Sequence, residues 1–129
     1  MNIHKSAEDY LEQILMLHEQ KGYARSVDIA AGLSVSKPSV SVAMKQLREN
    51  GYITMDQDNY ISLTDKGMEI ASAIYARHMA LTTFLTRLGV PPETAREDAC
   101  KLEHDISPAT FDAIRRYIGE AGGQGGAAQ

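Results

Sequence analysis

The fold is decided by residues 28–51, which read DIAAGLSVSKPSVSVAMKQLRENG. A short apolar helix, expected to turn Val27, Ile29 and Ala30 inward, leads into a tight connection. A second helix follows with Pro38 near its start, where the missing N–H is harmless. Asn50-Gly51 is typical of a left-handed helix end. This order predicts a helix-turn-helix, whose second helix enters the major groove of DNA.

The segments on either side of this stretch predict a winged helix-turn-helix. Before it, apolar residues at helical spacing predict a helix from Ser6, as its N-cap, to about Gln20. After it, the β-prone runs 52–55 and 60–63 flank four polar residues, a pattern typical of a hairpin. Three helices and a hairpin within residues 1–64 therefore form the predicted DNA-binding domain.

Residues 65–120 predict an all-helical second domain, so the expected fold class is mainly α. Thr64 caps a long helix to about Leu88. Its apolar seam, in steps of three and four, indicates self-association and consists of Ala71, Ile74, Leu81, Leu85 and Leu88. In that second domain, the spacing predicts that His78 lies inside the seam. Two shorter helices are predicted to begin at the capping box of Thr94 with Glu97 and at Ser107-Pro108.

Composition limits the function classes. The chain has 129 residues, and 13 basic against 17 acidic side chains give a net charge of −4, which excludes a globally basic nucleic-acid coat but not a local basic patch. The sequence lacks a membrane span and an apolar signal core, and its single cysteine, Cys100, excludes an internal disulfide. We therefore expect a cytoplasmic protein, with a disordered glycine-rich tail at 121–129.

Basic and small polar residues cluster in the helix-turn-helix. Between Tyr23 and Thr54, four basic minus two acidic residues give +2. Hydroxyl side chains allow close approach to phosphates and base edges. The predicted DNA-binding residues are Arg25, Ser36, Lys37, Pro38, Ser39, Ser41, Lys45 and Arg48.

Two structural alternatives remain for this stretch: the serines are ordinary helix caps, and winged-helix folds also serve protein contacts. A monomer with so few cations would hold double-stranded DNA weakly. We therefore expect a homodimer bound to an inverted-repeat operator.

A second group of residues has the chemistry of a metal site. Cys100, Glu103 and His104 stand at i, i+3 and i+4, which places them on one face of a helix. Thiolate, carboxylate and imidazole together suit a borderline divalent transition metal. Further donors on two other helices are the carboxylates of Asp9 and Glu12 and the imidazole of His78.

Each of these donors also has a purely structural alternative. Asp9 could form a capping pair with Ser6, and Glu12 could be solvated. His78 could be a hydrogen-bonded core residue, and Cys100 a small buried hydrophobic residue.

With both groups in hand, the chain resembles the diphtheria-toxin-repressor family of metal-dependent bacterial regulators, most closely its short manganese-transport-regulator branch. The resemblance covers about Lys5 to Glu120. It implies an N-terminal winged-helix domain, a helical metal-binding and dimerisation domain, and repression of metal-uptake genes when metal is bound. The motifs that carry it are AEDYLEQI (7–14), GYAR (22–25), DIA (28–30), PSVS (38–41), LTDKG (63–67), RH (77–78) and CKLEH (100–104).

The resemblance implies a ligand set of Asp9, Glu12, His78, Glu103 and His104, which match ligands of the manganese branch. Cys100 departs from that branch, which has glutamate there, and matches the iron-responsive branch. That branch in turn has methionine where this chain has Asp9.

The resulting donor set mixes hard and soft ligands. The carboxylates favour hard ions such as Mn²⁺, and a thiolate favours Fe²⁺, Co²⁺ or Zn²⁺. We therefore expect Mn²⁺ or Fe²⁺ as the cofactor, with Co²⁺ or Zn²⁺ accepted in vitro.

The sequence thus predicts a metal-dependent DNA-binding repressor rather than an enzyme, because no His-Glu-x-x-His helix, phosphate loop or nucleophile elbow is present. No membrane and no small-molecule substrate are expected as partners. Candidate ligands fall on both sides of Thr64, so an ion is expected to tie the first helix to the second domain and to set the spacing of the recognition helices. The alternative is a winged-helix transcription factor that responds to an organic ligand or a protein partner.

Overall fold

The computed structural model describes residues 5–119, so the predicted disorder of residues 121–129 lies outside the described part of the chain. The architecture is mainly helical with one antiparallel two-stranded sheet, as the sequence predicts. The elements are α1 (Lys5–Lys21), α2 (Ser26–Leu33), α3 (Lys37–Glu49), β1 (Ile53–Met55), β2 (Ile61–Leu63), α4 (Asp65–Arg87), α5 (Pro92–Leu102) and α6 (Pro108–Tyr117).

The chain divides into two compact units, and the division falls inside α4, between Ala73 and Ile74. The domain bounds drawn from the sequence, at residues 64 and 120, stay a prediction. Among residues 5–119, no helix combines the length and the apolar character needed to cross a membrane.

The first unit holds the three-helix core and the hairpin. Helix α1 contacts α2, α3 and β2, and α3 contacts α2 and β1. The side chains of Val40, Met44 and Leu47 lie buried on one face of α3, as their spacing predicts. Fully buried partners from the other elements of this unit are Leu11, Ile14, Ile29, Ile53 and Ile61.

Two predictions about the first two helices are wrong. Ser6 lies inside α1 and is therefore not its N-cap, because the helix already includes Lys5. Val27 was expected to face inward, yet 52% of its surface is exposed. The core is already closed on that side of α2 by Ile29 and Ala30, which are the buried residues of this short helix.

The hairpin is fixed by polar contacts in its turn and beside it. In the turn, the Asp56 carboxylate accepts hydrogen bonds from the backbone N–H groups of Asp58 and Tyr60, each at 2.9 Å. Directly after the turn, the Ile61 carbonyl oxygen lies 2.8 Å from His18 Nε2, a contact that joins β2 to α1. The wing is thereby held in one position on the helical core of its own unit.

The ends of α3 and the start of α4 follow the predicted capping chemistry. The Ser36 hydroxyl accepts the Ser39 N–H at 3.2 Å, so Ser36 is an N-cap, as the structural alternative for this serine states. Gly51 has φ +82°, the left-handed conformation expected after the helix. Thr64 caps α4, since its hydroxyl oxygen accepts the Gly67 N–H at 3.2 Å.

The second unit is all helical. Its core contains Ala80, Phe111 and Ile118, packed against Phe84 and Ile106. The serine-proline start of α6 is confirmed, because the Ser107 hydroxyl accepts the Thr110 N–H at 3.2 Å.

One prediction for the second unit is wrong. The predicted capping box of Thr94 with Glu97 does not begin α5, which starts at Pro92. The proline ring presets φ for the first helical position, so the helix begins before Thr94. Along the predicted apolar seam of the long helix, Ala71, Ile74 and Leu81 are buried and Leu88 is 60% exposed.

Candidate metal centre and nucleic-acid interface

His78 lies at the centre of a polar cluster inside the second unit. Its Nδ1 atom is 3.0 Å from Glu103 Oε1 and 3.9 Å from Cys100 Sγ. The His78 and Glu103 side chains are buried, at 9% and 0% exposure, whereas Cys100 is exposed. One donor atom from each of these residues lies within 4.8 Å of the other two.

The end of α5 brings Cys100, Glu103 and His104 together. Cys100 lies in the last turn of α5, which ends at Leu102, so the prediction that all three project from a helix is wrong in detail. Glu103 nevertheless keeps helical dihedrals, φ −59° and ψ −24°, and its N–H donates to the Ala99 carbonyl at 2.9 Å. The i, i+3 relation of Cys100 and Glu103 is therefore preserved.

His104 is the second imidazole beside the Glu103 carboxylate. Its Nε2 atom lies 3.3 Å from Glu103 Oε2, and its side chain is 1% exposed. Each oxygen of the Glu103 carboxylate therefore lies beside a different histidine.

Arg77 holds the backbone of this turn, a role that sequence reasoning missed. Its guanidinium donates to the carbonyl oxygens of Glu103, at 2.8 Å, and Ile106, at 3.3 Å, and lies 5.0 Å from the centre of the Phe111 ring. The signal in the sequence is its place directly before His78, which puts the two side chains on neighbouring sides of α4.

The cluster in the second unit fits a divalent transition metal. Two ligands that are each about 2 Å from one ion lie roughly 3 to 4 Å apart, which is the spacing of the His78 nitrogen from its two neighbours. A buried carboxylate between two imidazoles also needs pairing or a cation. The alternative that Cys100 is a buried hydrophobic residue is wrong because its surface is exposed.

Asp9 and Glu12 belong to α1 in the first unit, on one helix face at i and i+3. Glu12 is only 5% exposed, which excludes the alternative of a solvated carboxylate. The capping pair of Ser6 with Asp9 is also excluded, since Ser6 lies inside the helix. Neither carboxylate therefore keeps the structural role considered for it from the sequence.

The predicted DNA-binding residues lie at a cleft of the first unit and at the start of α3. Arg25, Ser41, Lys45 and Arg48 line a cleft of about 420 Å³ between α2, α3 and the hairpin, and the Arg25 guanidinium lies 5.2 Å from the centre of the Tyr60 ring. Ser36, Lys37, Pro38 and Ser39 are exposed at the start of α3. Sequence reasoning missed five further residues of the cleft, because the packing of α2 and the hairpin against α3 cannot be read from spacing alone: Ser26, Val27, Met44, Met55 and Asn59.

An apolar groove of about 360 Å³ lies on the second unit between α4 and α6. Tyr117 and Leu88 border it and are 78% and 60% exposed, respectively. The Phe84 and Tyr117 rings meet edge to face across it, with centroids 5.9 Å apart. The remaining lining residues are Thr110, Ala113 and Ile114.

A winged helix-turn-helix in one unit and a cluster of metal donors in the other define a metal-dependent DNA-binding transcriptional regulator. Residues 2–60 match the iron dependent repressor N-terminal DNA binding domain. Residues 64–122 match the iron dependent repressor metal binding and dimerisation domain. The chain belongs to the iron-dependent repressor family, which confirms the resemblance drawn from its motifs and weakens the alternative of a regulator without a metal.

Individual relatives agree with this assignment. The transcriptional regulator MntR of Escherichia coli O6:H1 is 41% identical over 115 residues, which cover 89% of this chain and 74% of that protein. The HTH-type transcriptional regulator MntR of Bacillus subtilis is 39% identical over 109 residues, which cover 84% of this chain and 77% of that protein.

Solved structures show the same fold in longer chains. The T. acidophilum IdeR structure superposes with a TM-score of 0.81 at 27% identity, covering 92% of this chain. The structure of the manganese regulator SloR gives 0.76 at 30% identity and 93% coverage. This chain spans 55% of the length of each.

Proposed function

We propose that the chain is a homodimeric repressor that binds an inverted-repeat operator when Mn²⁺ or Fe²⁺ is bound, and that its targets are metal-uptake genes. The observation that carries this proposal is the cluster of His78, Cys100 and Glu103, whose donor atoms lie within 4.8 Å of one another. Because its DNA target lies there, we place the protein in the cytoplasm. It acts as a regulator and not as an enzyme, as the names of its relatives support.

The proposed ligands are Asp9, Glu12, His78, Cys100, Glu103 and His104. His104 is included because its imidazole contacts the same carboxylate as His78 does. Asp9 and Glu12 are included on their chemistry: two carboxylates on one helix face are hard donors. This assignment makes α1 part of the metal response as well as part of the DNA-binding unit.

The metal response follows from the charges of these donors. Without an ion, the carboxylates of Asp9, Glu12 and Glu103 repel one another whenever they approach. A bound divalent cation supplies the positive charge that removes this repulsion. The chain's own carboxylates then hold α1 in place, which fixes the spacing of the two recognition helices in the dimer and raises operator affinity.

The thiolate of Cys100 is the donor that most affects which metal the site prefers. SloR, with which this chain is 30% identical, is a manganese regulator. A thiolate adds affinity for softer ions than Mn²⁺. The hybrid donor set therefore favours Fe²⁺ more than an all-carboxylate and imidazole set would.

Replacing this thiol tests the proposed site directly. Apo protein titrated with Co²⁺ is expected to show a thiolate-to-metal charge-transfer band in the near ultraviolet, and Cys100→Ser is expected to lose it. Cys100→Glu is expected to raise the preference for Mn²⁺ over Co²⁺ at least about tenfold, because a hard donor replaces a soft one. Thermal melting with each metal gives the two affinities.

The chain contains no other cysteine, so wild-type protein that binds Co²⁺ without this band would show that Cys100 is not a ligand. Wild-type protein whose melting temperature does not change with Mn²⁺, Fe²⁺, Co²⁺ or Zn²⁺ would instead support the regulator without a metal. Turnover of generic ester or phosphate substrates would contradict the assignment as a non-enzyme.

We also propose that a second copy of the chain covers the apolar groove between α4 and α6. This groove lies within the region that matches a dimerisation domain, and its border residues Leu88 and Tyr117 are the two most exposed large apolar side chains of that region. Burying them between copies removes apolar surface from water.

Charge in this groove is expected to break the dimer. Tyr117→Asp should convert the protein to a monomer at micromolar concentration in analytical ultracentrifugation, because a carboxylate would be desolvated at the contact. Asp112→Ala, an exposed substitution on the same helix outside the groove lining, is the control and should stay dimeric. A Tyr117→Asp protein that remains a dimer would place the contact on another surface.

A further inference from the structure

Val42 is the apolar side chain that α3 presents most directly to solvent. It stands two residues after Val40 and two before Met44, which are 0% and 1% exposed. At 3.6 residues per turn, a step of two residues is about 200°, so Val42 points away from both. Its own exposure is 60%.

The neighbours of Val42 on this outer face are polar or small. One turn before it lie Pro38 and Ser39, and one turn after it lie Lys45 and Gln46, all of them exposed. Helix stability does not account for a valine at such a position, because β-branched residues are weaker helix formers than lysine or glutamine. The side chain is therefore better explained by what it contacts when α3 is bound to DNA.

The major groove offers one apolar feature for such a side chain. Among the four bases, only thymine carries a methyl group at the groove edge, and the other groups there are hydrogen-bond donors and acceptors. An isopropyl group cannot satisfy those polar groups, but it can bury a methyl group.

We propose that Val42 reads the C5-methyl group of a thymine in each half-site of the operator, and is thus a specificity-determining residue. This inference rests on the proposed function, in which α3 lies in the major groove. Nearby Lys45 then supplies phosphate contact without sequence information, whereas Val42 supplies discrimination at one base pair.

The probe for this inference is a DNA duplex selected from a random pool by the Mn²⁺-loaded wild-type protein. Each symmetric pair of thymines is replaced by deoxyuridine, which removes the methyl group and leaves the base edge otherwise unchanged. Burial of one methyl group corresponds to about three- to fourfold in affinity. Replacing the contacted pair, one thymine in each half-site, is therefore expected to weaken binding about tenfold in fluorescence anisotropy.

The protein side of the contact is removed with Val42→Ala. This variant should bind the thymine and deoxyuridine probes equally at that pair, and selection with it should lose the thymine preference there. Val35→Ala removes another exposed valine, one outside the lining of the cleft, and is the matched control, which should keep the tenfold difference.

A Val42→Ala protein that keeps the tenfold difference, or a wild-type protein that tolerates deoxyuridine at every position, would overturn the assignment of Val42. Lys45→Ala separates this failure from failure of the proposed function. If Lys45→Ala weakens binding to all probes alike, α3 lies at the DNA and only the role of Val42 is wrong. If Lys45→Ala binds every probe as wild type does, the placement of α3 in the groove is itself wrong, and the proposed role of Val42 is then wrong as well.

Discussion

Glu103→Ala is expected to lower the affinity for Mn²⁺ or Fe²⁺ by at least about 100-fold in isothermal titration. Loss of a group that only supports a ligand already costs about 10- to 100-fold in such sites, and Glu103 is proposed as a ligand itself. Its two carboxylate oxygens lie 3.0 Å from His78 Nδ1 and 3.3 Å from His104 Nε2, so the substitution removes the donor that both imidazoles share.

The loss of metal affinity is expected to differ from one proposed ligand to the next. His104→Ala should also lower metal affinity strongly, and Glu12→Ala should lower it less. Glu97→Ala, which removes an exposed carboxylate from α5, is the matched control and should bind metal as wild type does. Unchanged affinity in both Glu103→Ala and His104→Ala would contradict the proposed ligand set.

The double variant Lys45→Ala/Arg48→Ala is expected to bind operator DNA about 10³-fold more weakly at 0.1 M salt. Both cations line the cleft between α3 and the hairpin, and a dimer would lose four of them. Log affinity falls with log salt concentration, and each phosphate contact contributes about 0.9 to the steepness of that fall. The salt dependence of the variant should therefore be shallower by about three to four.

The matched control removes the same charge from the second unit. Arg96→Ala/Arg116→Ala takes two exposed arginines away from α5 and α6 and should leave both the affinity and the salt slope unchanged. Equal losses in the two double variants would mean that net charge alone, and not the cleft, holds the DNA.

The fold could be predicted from local chemistry. Helical spacing identified the buried face of α3, and the caps Ser36, Thr64 and Ser107 were readable because each side-chain oxygen serves a backbone N–H only three residues away. The start of α5 could not be settled in this way. Thr94 with Glu97 and the earlier Pro92 both signal a helix start, and the sequence alone does not decide which of the two signals sets the first residue of α5.

The candidate metal centre could be predicted only in part. The spacing of Cys100, Glu103 and His104 placed them together because they are near neighbours in the chain, whereas the contact of His78 with Glu103 joins residues 25 positions apart. Arg77 was missed because its partners are backbone carbonyls, which its place directly before His78 does not identify. Val27 was misplaced because a helix as short as α2 has too few turns to define its buried face.

The central claim is that metal binding and operator binding are coupled, and one measurement tests it most directly. The affinity of the wild-type protein for the selected duplex is measured by anisotropy in Mn²⁺, in Fe²⁺ without oxygen, and in chelator. We expect affinity to rise about 5- to 150-fold with the metal, and the duplex to raise metal affinity by the same factor. Equal affinity for the duplex in metal and in chelator would contradict the account.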